Sequence, residues 1–412
     1  MTHRTSLLAD RMNRAQQIHR AKALLGQPAN RNLPRDLFTM PSPHRPPVEV
    51  PHVPPVPVME ARDLILGRPG QEWGVEEDSG TLVVRDAPRA NDPADVDPSS
   101  ERAQAAQEQL EANAEAEAAA LEKLTPEEQQ QYLEVKEATL APGEGRPEGD
   151  PVAALALQAM LLDGRLPGDE ALGGDQNLLE SLHALTTAPL ADDIDRDALI
   201  SDVVQEVAFP ECIAQNGPSC TVTTAAIALC LENPAEYVRV VTDLASPEGR
   251  AELAGGQVIT RDDNGLNSKT NTTASMNLWG PAMMEEFNRD RDYDVNDEEG
   301  YRGLGLSEVD RMMEALWGRQ VSSVKVGEDV TSEDLTDRAR DGESFSVCVE
   351  WSPKEGAPGE SNYHQILVTG TYVKDGVEYV TFINPWGTRG AMTVEEFEER
   401  VTSASSPART DA

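Results

Sequence analysis

The sequence predicts an α+β fold in which helices come first along the chain and an antiparallel sheet follows. Between residues 100 and 318, apolar residues recur at the spacing of helical faces, whereas after residue 320 they alternate with polar residues as in strands. Four of the five Trp, six of the seven Tyr and five of the six Phe lie at or after position 201. Because aromatic side chains supply much of a core's buried area, we expect the compact domain in the C-terminal half.

The first 99 residues are predicted to be a mostly disordered, Pro-rich arm. Within it, residues 5–27 place Leu8, Met12 and Ile18 near one helical face and predict a short amphipathic helix. This helix is a candidate for docking a partner or secretion machinery, and the alternative is a modest helix lying on the body of the protein. Residues 28–99 are rich in proline and predict an extended linker.

Residues 100–209 predict an acidic helical region, a candidate pro-segment or adaptor. The stretch "ERAQAAQEQLEANAEAEAAALEK" is rich in Ala, Glu and Gln, which favours a helix that is too polar to be buried. A second helix starts at Thr125, where Pro126 takes the first helical position and Glu128 completes a capping box. The segment "VAALALQAMLLDG" is apolar enough for a buried helix.

Residues 210–405 predict the α+β domain itself. Its expected helices are "CTVTTAAIALCLENP", "PAEYVRVVTDLA", "WGPAMMEEFNRD" and "SEVDRMMEALWG", with a polar loop at 255–276. Its expected strands are "QVSSVKV", "FSVCVEW", "HQILVTGTYV" and "VEYVTFINPW", the last two joined as a hairpin at "KDG". The segment "TVEEFEERV" predicts a closing helix.

The charge and cysteine content exclude several functional classes. A net charge of −38 disfavours binding to nucleic acid and to anionic membranes. We expect no membrane span, because no stretch approaches the ~20 apolar residues required. The four cysteines show no CxxC spacing, so we expect neither a metal site nor a cofactor. With no secretory signal in the sequence, free thiols predict a cytoplasmic protein, and export by a specialised secretion system stays an alternative.

Cys220 and His364 form the candidate nucleophile and base. Cys220 begins a predicted helix, where the unpaired backbone N–H groups and the helix dipole favour the thiolate. His364 is the only histidine after residue 200 and begins a predicted strand. The other cysteines of this domain lack such a context, and Cys230 and Cys348 are expected in the core.

Asn384 and Gln215 complete the candidate site. A histidine base needs a third group to fix its tautomer, and Asn384 follows on the adjacent strand, where Trp386 can shield the bond from water. Gln215 lies five residues before Cys220, so its side-chain amide and the Cys220 backbone N–H can donate to an oxyanion. Gly217 and Pro218 would form the intervening tight turn.

This order resembles the papain-like cysteine peptidase superfamily: Gln, then Cys at a helix start, His at a strand start and Asn-x-Trp-Gly. His364 lies 144 residues after Cys220, within the ~130–150 residues typical of the papain type. "NPWG" resembles the calpains, and "HQILVTG" with "VTFINPWG" and "AMTVEEFEERV" resembles bacterial members and leader-peptidase relatives. The resemblance covers roughly residues 205–405. It departs from the papain and calpain pattern in the shorter Gln-to-Cys spacing and in Thr221, where an aromatic residue is usual.

The resemblance implies a papain-like catalytic domain at 210–405, with a helical lobe, a β lobe and the thiol in the cleft between them. It implies hydrolysis of peptide bonds in a polypeptide substrate through an acyl-enzyme. Two alternatives stay open. The thioester could pass to another acceptor, as in transglutaminases, deamidases and acyltransferases, although those relatives more often use Asp as the third member. The domain could also be a non-catalytic binding module.

Overall fold

The computed structural model describes residues 73–75, 82–84, 101–142, 149–215, 217, 219–262, 266, 272–288, 293, 295, 303–352, 362–374 and 376–407. The predicted amphipathic helix at residues 5–27, most of the Pro-rich arm and Pro218 lie outside these residues. The described chain combines helices with an antiparallel sheet, as predicted. None of its helices is both long and apolar enough to cross a membrane.

A series of helices precedes Gln215, the first residue of the candidate site. They are α1 (Glu101–Ala112), α2 (Ala114–Leu121), α3 (Pro126–Thr139), α4 (Pro151–Leu162), α5 (Leu178–Thr187) and α6 (Arg196–Ala208). Helix α3 has the predicted capping box, because the Thr125 hydroxyl accepts from the Glu128 N–H and the Glu128 carboxylate accepts from the Thr125 N–H. Helix α4 has ten buried residues, which confirms the expectation drawn from its apolar composition.

Helix α1 is buried along one face, so the expectation that it is too polar for burial was wrong. Ala103, Ala106 and Leu110 are at most 6% exposed, and Gln158 of α4 donates to the Leu110 carbonyl oxygen. These three small or apolar residues are spaced three and four apart and therefore share one helical face. The average polarity of the segment concealed this apolar face, because Glu and Gln occupy the other faces of the helix.

The second series of elements carries the candidate site. Its helices are α7 (Cys220–Glu232), α8 (Pro234–Ala245), α9 (Ala274–Phe287), α10 (Leu306–Trp317), α11 (Ser332–Arg340) and α12 (Val394–Arg400). Two short strands, β3 (Arg250–Glu252) and β4 (Val258–Thr260), pair with each other. Strand β4 lies inside the segment predicted to be a polar loop. The prediction of a loop was therefore wrong at that position.

The main sheet has eight strands in the order β1-β2-β9-β8-β7-β6-β10-β5, and every neighbouring pair is antiparallel. The strands are β1 (Trp73–Val75), β2 (Leu82–Val84), β5 (Val321–Lys325), β6 (Phe345–Ser352), β7 (Asn362–Lys374), β8 (Val377–Asn384), β9 (Thr388–Thr393) and β10 (Val401–Pro407). Strands β5 to β8 are those predicted. Strands β1, β2, β9 and β10 were not predicted, and the first two come from within the Pro-rich arm.

Helices cover both faces of this sheet because its strands alternate the direction of their side chains. On one face, Leu367 and Ile383 join a large hydrophobic cluster that includes side chains of α1 and α3 to α10. On the other face, Ile366 and Val368 pack in a second cluster with Leu335 of α11 and Phe397 of α12. Strand β7 therefore lies between two cores, and its first residues reach the surface where these cores end.

Candidate active site

Cys220 is the first residue of α7, and it lies against the start of β7. The helix is held there by Thr224, whose hydroxyl donates to the Gln365 carbonyl oxygen over 3.2 Å. The indole N–H of Trp279 on α9 donates to the Val222 carbonyl oxygen over 2.9 Å. Cys220 is half-buried and its thiol is free. The first turn of α7 is thus fixed both to the sheet and to the neighbouring helix.

The thiol of Cys220 is held in its protonated form by burial. Desolvation raises the pKa of Cys220, although hydrogen bonds from the Gln365 backbone and from the side chain and backbone of Thr221 lower it. The expectation that the helix start makes the thiolate the favoured form was therefore wrong for the resting cleft. Removal from water outweighs the helix-terminal N–H groups in this position.

His364 lies on β7 with its imidazole oriented by Asn384. The ring Nε2 is 2.9 Å from Oδ1 of Asn384. Because that oxygen can only accept, Nε2 carries the proton and the lone pair of Nδ1 stays available. His364 is 7% exposed, and burial lowers its pKa to about 4 even though the bond to Asn384 raises it. The imidazole is thus neutral at pH 7.

Asn384 ends β8 and is fully buried at the start of a turn. Its Oδ1 also accepts from the Trp386 N–H over 3.2 Å, and its carbonyl oxygen accepts from the Gly387 N–H. The Trp386 ring lies 4.6 Å from the His364 ring, centre to centre, at an interplanar angle of 32°. Trp351 meets the same imidazole edge-on at 5.1 Å. These two indoles shield the His364–Asn384 bond, as the sequence predicted for Trp386.

Gln215 is tied to the same turn through its backbone. Its N–H donates to the Pro385 carbonyl oxygen over 2.6 Å, and Ala214 forms a β-bridge with Trp386. The side-chain Nε2 donates one hydrogen to the Gly217 carbonyl oxygen over 2.8 Å. Its Oε1 has no hydrogen-bond partner among the described residues. Nε2 makes no second hydrogen bond to a described residue, so its other amide hydrogen is available to a ligand.

A surface cleft of about 920 Å³ collects these side chains. It is lined by Gln215, Cys220, Thr221, Gly303, Leu304, Gly305, Leu306, Val309, Lys325, Cys348, Trp351, Tyr363, His364, Gln365, Trp386, Thr402 and Ser403. Asn384 lies directly behind His364 and is the only one of the four predicted site residues outside the described lining. The cleft therefore brings together residues that are up to 188 positions apart in the sequence, from Gln215 to Ser403.

Cys348 was expected in the core, and this prediction was wrong. Its side chain is half-buried and lines the cleft, whereas Cys230 is buried as predicted. Cys348 pairs across the strands with Gln365, the residue after His364. Its place in the cleft depends on this register, which no local pattern in the sequence reveals.

Lys325, Thr402 and Ser403 were also missed as site residues, because they come from β5 and β10 at the far side of the cleft. The sequence matches no protein-family model and no curated protein.

Proposed function

We propose that this chain is a cysteine peptidase that hydrolyses peptide bonds through a Cys220–His364–Asn384 triad and an acyl-enzyme thioester. The observation that carries the proposal is the meeting of a thiol, an oriented neutral imidazole and an amide donor at one cleft. The thiol begins helix α7, the imidazole is carried by the third residue of β7, and Asn384 fixes the imidazole tautomer over 2.9 Å.

In the proposed reaction, the resting thiol and imidazole are both neutral, so His364 acts as a general base during attack. The Sγ–H bond of Cys220 breaks, the proton passes to Nδ1 of His364, and Sγ bonds to the substrate carbonyl carbon. The carbonyl π electrons move to oxygen and form a tetrahedral oxyanion. When the C=O bond reforms, the C–N bond breaks and the imidazolium gives its proton to the leaving amine.

The second half of the proposed reaction releases the acyl group. Water attacks the thioester carbon while His364 removes one of its protons. The C–S bond then breaks and the thiolate takes that proton back, which returns the acid product and the free thiol. In both halves the oxyanion accepts hydrogen bonds from the Cys220 backbone N–H and from the second amide hydrogen of Gln215.

The arrangement of the two hydrophobic clusters supports a helical lobe and a β lobe like those of papain-like domains, with the helices before residue 210 adding to the large cluster. Helices α7 to α10 belong to the large cluster, and the outer face of the sheet with α11 and α12 forms the second cluster. The cleft opens where the helices meet the first residues of β7. An open cleft of about 920 Å³ has the size of a site for several residues of an extended peptide.

The test is to label and assay the Cys220→Ala variant. We expect the wild type to form one adduct with an epoxide-type thiol probe at Cys220 and to release new N-termini from a peptide library. Cys220→Ala should lose both the adduct and the turnover and keep the wild-type circular dichroism spectrum. Cys348→Ala is the matched control, because it removes the other thiol of the cleft and should keep the adduct at Cys220.

Adding an amine such as methylamine to the same assay separates hydrolysis from acyl transfer. Mass spectrometry should find free carboxylates as the main product, because Asn384 is the third member. An excess of amide products would instead indicate a transferase, and deamidated glutamine would indicate a deamidase. A wild type that neither reacts with the probe nor cleaves any peptide would contradict the proposal and favour a binding module.

A further inference from the structure

The floor of the cleft is a single row of side chains that crosses four adjacent strands. Gln365 on β7 pairs with Cys348 on β6, Cys348 pairs with Ser403 on β10, and Ser403 pairs with Lys325 on β5. All four line the cleft. Paired residues on neighbouring strands point to the same face, so the row is continuous. It starts beside the Cys220 thiol, which accepts a hydrogen bond from the Gln365 backbone, and it ends at the ammonium group of Lys325.

The charge of the described lining of this cleft differs from that of the chain as a whole. The chain has 73 acidic residues among 412, so 17 lining residues at that frequency would include about three. The described lining contains no Asp or Glu. Its basic residues are His364, which is neutral at pH 7, and Lys325. Lys325 is therefore the one permanent charge among the described lining residues, and it is positive.

Lys325 is only loosely engaged by its own neighbours. Its Nζ is 3.4 Å from Oε2 of Glu328, and the two side chains are 52% and 69% exposed. The Asp329 carboxylate accepts a hydrogen bond from the backbone N–H of Lys325 and not from its ammonium group. An exposed ion pair of this length contributes little free energy. A carboxylate that enters the cleft thus competes with a single solvent-exposed partner.

The direction of the row relates Lys325 to one side of the cleaved bond. His364 must protonate the leaving amine, so the leaving part of the substrate lies beside His364 and Trp386. The acyl part then extends away from them, across β6 and β10 toward β5. Three strand spacings of about 4.8 Å separate Gln365 from Lys325, a length that about four extended residues span.

We propose that Lys325 is a specificity-determining residue that selects peptides with an acidic side chain about three or four residues before the cleaved bond. This inference rests on the proposed peptidase function. Leu304, Leu306 and Val309 also line the cleft, so they offer an apolar surface to the residues between the acidic side chain and the cleaved bond. The acidic side chain itself lies beside Lys325, at the open end of the cleft. There it meets the positive ammonium group, whereas elsewhere on this acidic protein it would be repelled.

The experiment compares peptides that differ only by Glu, Gln or Lys at the second, third or fourth residue before the cleaved bond. For the wild type we expect kcat/KM to be about three- to fivefold higher with Glu than with Gln at one of these positions, as for an exposed ion pair. Lys325→Met should remove this preference, and Lys325→Glu should reverse it toward the Lys peptide. Glu328→Gln should increase the preference for Glu, because it removes the competing carboxylate.

Binding separates this inference from the proposed function. Fluorescence anisotropy of the same peptides with Cys220→Ala measures the Glu preference without turnover, and the preference should shrink in 0.5 M NaCl. Lys374→Met is the matched control, because it removes an exposed lysine at the far end of β7 and should leave the preference unchanged. If the wild type binds the peptides with this preference but does not cleave them, the proposed peptidase function is wrong and the inferred anion-binding site stands.

The inference is overturned if the wild type turns over or binds the Glu and Gln peptides equally, or if Lys325→Met keeps the preference. Absence of both binding and turnover with every peptide overturns the inference and the proposed function together.

Discussion

His364 combines two environments that act on its protonation in opposite directions. The ring is enclosed by Trp351, Trp386 and the strand that carries it, which disfavours the imidazolium. Asn384 favours the imidazolium through its oxygen, but a single neutral acceptor recovers only part of the lost hydration. The net result is a base that stays unprotonated well below the pH at which a solvated histidine protonates.

This residue therefore predicts an acid-tolerant reaction. A general base must be neutral to accept the thiol proton, so activity is lost as pH falls through the pKa of His364. We expect the acid limb of kcat/KM near pH 4, since burial lowers this pKa from 6.5 to about 4. Trp386→Ala should let water reach the ring and move the limb toward pH 6.5. A wild-type limb already at pH 6.5 would show that the imidazole is hydrated.

The same depressed pKa affects folding. Unfolded chains bind the His364 proton below about pH 6.5, whereas the folded protein binds it only below about pH 4. Stability is thus fully retained above pH 6.5 and decreases as pH falls from 6.5 to 4, by about 3 kcal/mol for a shift of this size. Urea denaturation of the wild type and of His364→Gln across this range should show a loss in the wild type that the variant lacks.

The sequence could identify the candidate triad because each member begins or ends a recognisable element. Cys220 begins a helix, His364 begins a strand and Asn384 precedes a turn. The direction of the Cys220 pKa shift could not be predicted, because burial depends on how Thr221 and Gln365 close around the thiol. Lys325 could not be assigned to the site either, since its position follows from pairings between β5, β10, β6 and β7.

At the scale of elements, the turn after β8 joins the two halves of the site. It carries Asn384 and Trp386, and its Pro385 carbonyl oxygen holds the Gln215 backbone. Gly387 closes the turn with φ 75°, a left-handed conformation that glycine adopts without strain. A Cβ at this position would lie 3.2 Å from the Cys212 carbonyl oxygen and 3.3 Å from the Ala214 Cβ. The turn therefore depends on glycine for its conformation and for its approach to the segment before Cys220.

Gly387→Ala should consequently impair catalysis as well as stability. The left-handed backbone costs about 1–2 kcal/mol in a non-glycine residue, and the close contact pushes the turn away from Ala214. Gly376→Ala provides the control, because Gly376 has φ 79° in the β7–β8 hairpin and no atom within 4 Å of its added Cβ. We expect similar losses of Tm from the backbone term and a drop of about tenfold or more in kcat for Gly387→Ala alone. Equal kcat values would refute a role of this contact in positioning the site.

Elements with a clear apolar period were predictable, and those without one were not. Strand β6 alternates Val or aromatic residues with other residues, strands β5, β7 and β8 each contain several Val, Ile or aromatic residues, and the sequence predicted all four. Strands β9 and β10, "TRGAMT" and "VTSASSP", contain too few such residues to show an alternation, although both are paired on two sides. Their places in the sheet come from their neighbours, which only tertiary contacts specify.

At the scale of the whole molecule, the region before residue 210 and the candidate catalytic half share one core. The large hydrophobic cluster runs from Ala106 to Ile383 without interruption. Glu206 of α6 is fully buried and accepts hydrogen bonds from Tyr237 of α8 and from Ser275 of α9. Asn233, between α7 and α8, donates to the Glu170 carbonyl oxygen in the region before residue 210. A detachable pro-segment would instead contact its partner across a separate, more polar interface.

Deleting this region should therefore unfold the protein rather than activate it. Helix α4 alone buries Val152, Leu155, Leu157, Met160 and Leu161. At about 1.5–3 kcal/mol for each such side chain, their loss approaches the whole stability of a typical domain, about 5–15 kcal/mol. We expect a chain of residues 205–412 to lack near-ultraviolet circular dichroism and a cooperative urea transition, and a chain of residues 101–412 to keep both. If the 205–412 chain folds and its Cys220 is labelled as fast as in the full-length protein, the shared core is contradicted. The region before residue 205 would then be a separable adaptor.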